Sequence, residues 1–342
     1  MEKTNRDIKL DIIKGIAIIL VVIGHVVSGV YSPVDGIHNQ VFKFCYSFHM
    51  PLFIFVSGWL TGIKDISLQG KDWVIKKTKR LLVPYVVSAQ TLGLVPYIIW
   101  TCFKWLVFSY DNGLITTLVA IPLYWYLIVL YLCTMVSFIA TRFKRKYTMH
   151  IILYGLVIIL SVVAGSSNMI LKRMVIYFPF YFAGFVFSAN KDKLDRLMSY
   201  RYLWPSIVLY PVSMLAYTYG DAEYGPVIQT LMSVTGISST KILKAGIMFY
   251  NHYIVAIFGI AFIWCIVSFI CDKKLFTHMQ NALAYVGLYT LQIYILHDML
   301  FVRIFNNAMV NSIVSMITAM AGSLVISLLI GKCRRLNRVL FG

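Results

Sequence analysis

The feature that most limits this chain is a succession of apolar windows, each roughly 17–25 residues long, with little sequence between them. They run over approximately 10–30, 42–62, 81–100, 122–141, 149–165, 174–189, 202–219, 246–270, 282–302 and 309–331. A helix rises about 1.5 Å per residue and the hydrocarbon core is about 30 Å thick, so a window of this length crosses it once. The expected fold is all-α, a polytopic membrane bundle of about ten transmembrane helices, read as one domain over 1–342. Stretches 101–121 and 220–245 carry apolar pieces of their own and are left open as re-entrant or interfacial segments. Composition excludes a soluble globule. The 342 residues are 60% hydrophobic and 13% charged, against about 45–50% and 25% in soluble domains. The six cysteines are scattered and form no CxxC or Cys/His spacing, so neither a disulfide framework nor a metal is expected. The first apolar run is too long for a cleavable signal peptide and lacks a small-residue cleavage site.

A net charge of +18 could point to nucleic acid, but in a multi-span chain it is explained by basic cytoplasmic loops, and no nucleic-acid partner is expected. With the N-terminus inside, 24 of the 31 Lys and Arg fall on inner segments; Lys43, Lys104, Lys172, Arg173, Lys241, Lys244 and Arg303 fall outside. The bias alternates correctly across the ten windows, which places both termini in the cytoplasm.

This orientation gives each polar residue a depth. His25 lies about fifteen residues into an outward-running span, roughly 22 Å from the inner face. His49 lies about seven residues into an inward-running span, about 10 Å below the outer face. His297 and His252 fall near the same level, with Asp298 beside His297. Ionisable groups inside spans are rare and commonly line a cavity, although a hydrogen-bonded packing histidine or a wet helix end is the plain alternative. A neutral imidazole in this layer can accept a proton from a hydroxyl. At the inner end, Asp11 and Lys14 are three apart and share a helix face. Lys77, Lys79 and Arg80 lead into another apolar run. These cations are ordinarily a topology signal, and they also suit a phosphate-bearing ligand. At the outer end, Trp125 and Tyr126 form either an aromatic belt or a platform for sugar faces.

The segments that carry these residues resemble the acyltransferase-3 family of membrane acyltransferases, closest to its fucose 4-O-acetylase-like branch. The matching pieces run in order from Leu10–His25, through Phe48–Gly58, Arg80–Tyr85, Tyr124–Leu127 and Phe178–Gly184, to Gly287–His297. The resemblance implies transfer of an acyl group, typically acetyl from cytoplasmic acetyl-CoA, to a hydroxyl of a cell-surface polysaccharide or its lipid-linked precursor, at the plasma membrane of a bacterium. The family's first-span histidine maps onto His25. Its upstream basic residue, commonly Arg, is Lys14, which keeps the charge and loses the bidentate fork. A cytoplasmic Arg-x-Arg-type element is matched loosely by Lys77, Lys79 and Arg80. Many relatives carry a further extracytoplasmic SGNH domain; none is expected here.

Together these readings assign His25 as general base, with His49 orienting it or stabilising an oxyanion, and an acetyl-histidine intermediate as the other route. Lys14, Lys77, Lys79 and Arg80 would hold the CoA phosphates. Trp125, Tyr126, His297 and Asp298 would contact the acceptor, with Asp11 and Ser57 in support. The alternative from another class is a proton-coupled transporter or flippase, disfavoured because no inverted repeat is visible.

Overall fold

A computed structural model describes residues 7–31, 39–63, 70–88, 125–165, 168–189, 196–219, 226–236 and 241–333, with 337, 340 and 341. Every regular element among them is helical. α1 (Ile8–Val26) opens on an Asp7 cap, whose side chain accepts the Lys9 N–H at 3.0 Å, and ends in a π-helical turn, Val27–Tyr31. α2 (Gln40–Ile63), α3 (Lys71–Ser88), α4 (Trp125–Ala140), α5 (Lys146–Val163) and α6 (Met169–Ala189) follow. Then come short helices α7 (Tyr200–Leu203) and α8 (Ser206–Met214), and α9 (Pro226–Thr235). α10 (Lys241–Phe249) passes through a π turn, Tyr250–Ile254, into α11 (Val255–Asp272). α12 (Thr277–Leu288) and α13 (Thr290–Leu296) lead to a 3₁₀ turn, His297–Leu300. α14 (Ala308–Ile317), a π turn (Thr318–Gly322) and α15 (Ser323–Lys332) close the series.

Among the described residues, six helical stretches are long and apolar enough to cross a membrane: Ile8–Tyr31, Gln40–Ile63, Lys146–Val163, Met169–Ala189, Leu243–Asp272 and Ala308–Lys332. They coincide with six of the ten windows. The window at 122–141 appears as the shorter α4, and most of the one at 81–100 lies outside the described residues, as does 101–121. Two windows are broken helices. In 202–219, α7 stops just before Pro205, whose ring lacks the N–H that would continue the helical hydrogen bonds, and α8 starts just after it. In 282–302, Tyr289 leaves the helical region (φ −104°, ψ 17°) and the chain tightens to 3₁₀ at His297. Interrupted helices persist at membrane depth only where protein or a cavity surrounds the loosened backbone.

The described chain forms two compact units, residues 1–60 with 183–324, and 61–182 with 325–342. In the first, α1 lies directly on α12. A Cβ on Gly15 would run into the Leu283 carbonyl, and one on Gly287 into the Asp11 carbonyl, so the two backbones touch where only glycine fits. Gly184 on α6 meets the Phe55 carbonyl of α2 in the same way. Lys9 ion-pairs with Asp272 at 2.7 Å, tying the start of α1 to the end of α11. In the second unit Trp73 stacks on Phe138 with ring centres 5.3 Å apart, and the Tyr131 hydroxyl meets that of Thr78 at 3.1 Å. Tyr181 donates to Thr61 at 2.9 Å, and His150 joins α5 to Ser137 of α4 at 3.1 Å. Much of α5 remains apolar and bare, including Ile151, Ile152, Val162 and Val163, as a helix facing lipid would be.

Gly15→Leu or Gly287→Leu is expected to force α1 from α12, at an overpacking cost of about 1–3 kcal/mol or more. Thermal unfolding of the detergent-purified protein measures this. Gly155→Ala, where an added Cβ meets nothing within 4 Å, is expected to stabilise by about 0.5–1 kcal/mol through helix propensity.

Candidate active site

The first unit gathers three of the histidines that share a depth in the sequence. His25 stands on the last turn of α1, His49 on α2 and His297 at the junction of α13 with its 3₁₀ turn. The rings of His25 and His297 lie 5.2 Å apart. His49 reaches the group through Tyr46, whose ring touches both His25 (centres 6.0 Å) and His49 (4.8 Å). Tyr46 can lie so close to α1 because residue 24 is glycine: a Cβ there would sit 2.6 Å from the tyrosine ring. Tyr46 was not singled out in the sequence, where it is one more aromatic on an aromatic-rich helix. Its one legible signal is its place three residues ahead of His49, on the same helix face.

The directions of the hydrogen bonds fix much of the chemistry. Ser28 donates its hydroxyl proton to the His25 carbonyl at 3.4 Å, and the Tyr46 hydroxyl hydrogen-bonds to the Ser28 side chain. The Tyr46 oxygen is 3.5 Å from His25 Nδ1. With Ser28 donating to the His25 carbonyl, Tyr46 donates to Ser28 and accepts the His25 Nδ1–H. His25 Nε2 then carries the lone pair. His297 is set similarly, because its Nδ1–H lies 3.0 Å from the Ile293 carbonyl and 2.9 Å from that of Tyr294. Its Nε2, 3.4 Å from an Asp298 carboxylate oxygen, makes no hydrogen bond in the described structure although the residue is only 2% exposed. His25, His297 and Asp298 each place a coordinating atom within 4.8 Å of the others, an arrangement that could also hold a cation.

His49 donates Nδ1–H to the Cys45 carbonyl at 2.6 Å and is 1% exposed. A neutral His49 held this way presents only a lone pair at Nε2, so it could not donate to an oxyanion. Its position suits bracing Tyr46.

The segment after the 3₁₀ turn is clamped. Val302 N–H donates to Ser315 Oγ (2.8 Å), Phe305 N–H to Asn311 Oδ1 (2.9 Å), and Thr318 Oγ1 donates to the Leu300 carbonyl (2.6 Å). This fixes the backbone on either side of exposed Arg303, whose guanidinium comes within 3.5 Å of where a Gly29 Cβ would stand. An aromatic wall continues from Tyr46 away from His25: Phe42 stacks on Tyr46 (3.9 Å), and Tyr219 meets both edge-on at 4.8 and 5.3 Å.

The remaining sequence candidates are placed as follows. Lys14 pairs with buried Asp11 at 2.6 Å, three residues apart on α1 as expected. Ser57 is half-buried on α2. Lys77, Lys79, Arg80, Trp125 and Tyr126 belong to the second unit. Lys79 and Arg80 are exposed, whereas half-buried Lys77 lies 5.4 Å from the Trp73 ring centre. The Trp125 ring already carries Arg173 at 4.0 Å and stacked Tyr177 at 5.2 Å, so much of the indole is engaged within the protein.

Comparison with known proteins bears on this site. A family profile described as an acyltransferase domain matches residues 7–332. The chain is 27% identical over 215 residues to the nodulation protein NolL of Mesorhizobium japonicum, covering 61% of this chain and 55% of that one. To NolL of Sinorhizobium fredii it is 28% identical over 201 residues, covering 57% and 52%. The chain thus spans about half the length of these relatives. No solved structure matches.

Tyr46→Phe keeps the ring against Gly24 and removes the hydroxyl that fixes His25. It is expected to lower acyl-transfer turnover about tenfold, within the range general-base positioning supplies, while the melting temperature stays within a few degrees. Steady-state turnover and thermal unfolding of the same preparation check this.

Proposed function

The chain belongs to the acyltransferase-3 family, and from that premise we propose that it is an integral membrane O-acyltransferase. It moves an acyl group, typically acetyl, from acyl-CoA to a hydroxyl of a glycan or its lipid-linked precursor. The observation that carries this reading is the His25 imidazole, held at Nδ1 by Tyr46, with its ring 5.2 Å from that of His297 and one ring nitrogen within 4.8 Å of coordinating atoms of His297 and Asp298. That is the form in which a histidine takes a proton from a hydroxyl.

In the proposed reaction the acceptor hydroxyl oxygen attacks the thioester carbonyl carbon as its proton passes to His25 Nε2. The C–S bond then breaks, and the CoA sulfur takes that proton from His25. The products are the ester and free CoA, with no net change in protons. His49 holds Tyr46, and Tyr46 with Ser28 holds the ring of His25. Tyr219, 42% exposed and edge-on to Tyr46, suits the apolar face of a sugar better than Trp125 does.

For the donor, we assign the phosphates to the basic inner end. Lys14 lies eleven residues before His25 on one helix, about 16 Å along its axis. Its partner Asp11 restrains the ammonium, and the charge bias of the sequence puts Lys77, Lys79 and Arg80 on the same, cytoplasmic side of the membrane. The distribution of Lys and Arg supports cytoplasmic termini and about ten spans, and the family resemblance suits a bacterial plasma membrane as the location.

His25→Ala should insert and fold normally yet lose at least about a hundredfold in turnover with labelled acetyl-CoA and a glycan acceptor. A folded variant working at the wild-type rate would exclude His25 as the base. Charge reversal at Lys79 and Arg80 is expected to raise the KM for acetyl-CoA with little change in kcat; an unchanged KM would remove the phosphate assignment.

A further inference from the structure

The hydrogen-bond directions around His25 leave a particular imbalance. His25 Nε2 is an acceptor once Nδ1–H is engaged by Tyr46, and His297 Nε2 is an acceptor once Nδ1–H is engaged by the Ile293 and Tyr294 carbonyls. The Asp298 carboxylate is acceptor-only when ionised. A ring nitrogen of His25, one of His297 and an Asp298 oxygen lie within 4.8 Å of one another, and His297 Nε2, 3.4 Å from the carboxylate, is buried without a hydrogen bond among the described residues, so with neutral rings the group is short of protons. A ligand that fits must bring donors, and more than one. A single hydroxyl brings only one proton, and in the proposed reaction it goes to His25.

We propose that the site recognises two adjacent hydroxyls of the acceptor, a vicinal diol of a sugar ring, with the reacting hydroxyl on His25 and its neighbour donating to the His297–Asp298 pair. This rests on the acyl-transfer reading and narrows its substrate class. The oxygens of a gauche diol lie about one hydrogen-bond length apart, so each can reach its own acceptor when those acceptors are separated by no more than 4.8 Å. The neighbouring hydroxyl keeps its proton and forms no covalent bond. Its contact fixes which oxygen faces the thioester, which makes Asp298 and His297 specificity-determining rather than catalytic. The two-sided approach explains why Asp298 is exposed while His297 is buried: the carboxylate meets the incoming sugar, and the imidazole forms the floor. The backbone on the far side of the turn is pinned through Leu300 and Val302, so the pair is presented at a fixed distance from α1.

The test uses the full chain in lipid nanodiscs with labelled acetyl-CoA and methyl glycosides of glucose, galactose and fucose. For whichever is acetylated, derivatives deoxygenated or O-methylated at the carbon next to the acetylated one are compared with the parent. Both changes remove the second donor, and each is expected to lower kcat/KM about a hundredfold. In Asp298→Ala the parent glycoside should fall toward the level of its deoxy derivative, and the difference between them should shrink to about threefold or less. Acetylation of the parent with equal use of both derivatives would overturn the diol assignment and leave the acyltransferase reading standing. Turnover abolished by a zinc chelator and restored by Zn²⁺ would also overturn it, because a metal ion would then occupy the three acceptors. If acetyl-CoA were bound and no glycoside ever acetylated, the acceptor reading and the diol assignment would fall together.

Discussion

The candidate active site depends on a contact that contains no side chain. α1 and α12 meet backbone to backbone at Gly15 and Gly287, each filling the space where the other helix's carbonyl would forbid a Cβ. In a membrane there is little hydrophobic gain in bringing two apolar helices together, so close van der Waals packing between small residues decides which pairs form. This crossing sets the line along which α1 runs outward to His25 and from which α12 and α13 continue to His297. The ring separation of 5.2 Å is a downstream consequence. Gly24 repeats the device near the outer end, where it admits the Tyr46 ring.

Backbone irregularity accompanies the chemistry. The α1 helix turns π-helical two residues past His25, the α13 helix tightens to 3₁₀ at His297, and the Thr318–Gly322 π turn packs against that 3₁₀ turn through Thr318 and Gly322. Such departures re-aim side chains that a regular helix would send along its own face, and they recur at functional sites. They also loosen carbonyls. Here those of Ile293 and Tyr294 take the His297 Nδ1–H, while inside the regular α2 helix the Cys45 carbonyl takes the His49 Nδ1–H. Backbone acceptors thereby choose the tautomers of buried histidines, and tautomers decide which residues can be bases and which can be donors.

The aromatic residues show how position outranks type. Trp125 has the composition of a sugar platform, yet its ring is engaged by Arg173 and Tyr177. Tyr219 carries no motif and stands 5.3 Å from Tyr46, the ring that touches His25. Likewise His49 looks like an equal partner to His25 by depth, while its contacts make it a brace for Tyr46.

Sequence alone determined the all-helical membrane class, because runs of twenty apolar residues have few alternatives in water or lipid. It also singled out His25, His49 and His297, since an ionisable group is costly at that depth and so stands out against an apolar background. The Asp11–Lys14 pair was legible because it depends on one helix and a spacing of three. What tertiary structure alone decided was everything that crosses between helices: the meeting of His25 with His297, the part of Tyr46, and the broken forms of the windows at 202–219 and 282–302. The physical reason is that periodicity fixes depth along one axis, whereas rotation about each helix and the choice of neighbour are set by where glycine lets two backbones touch.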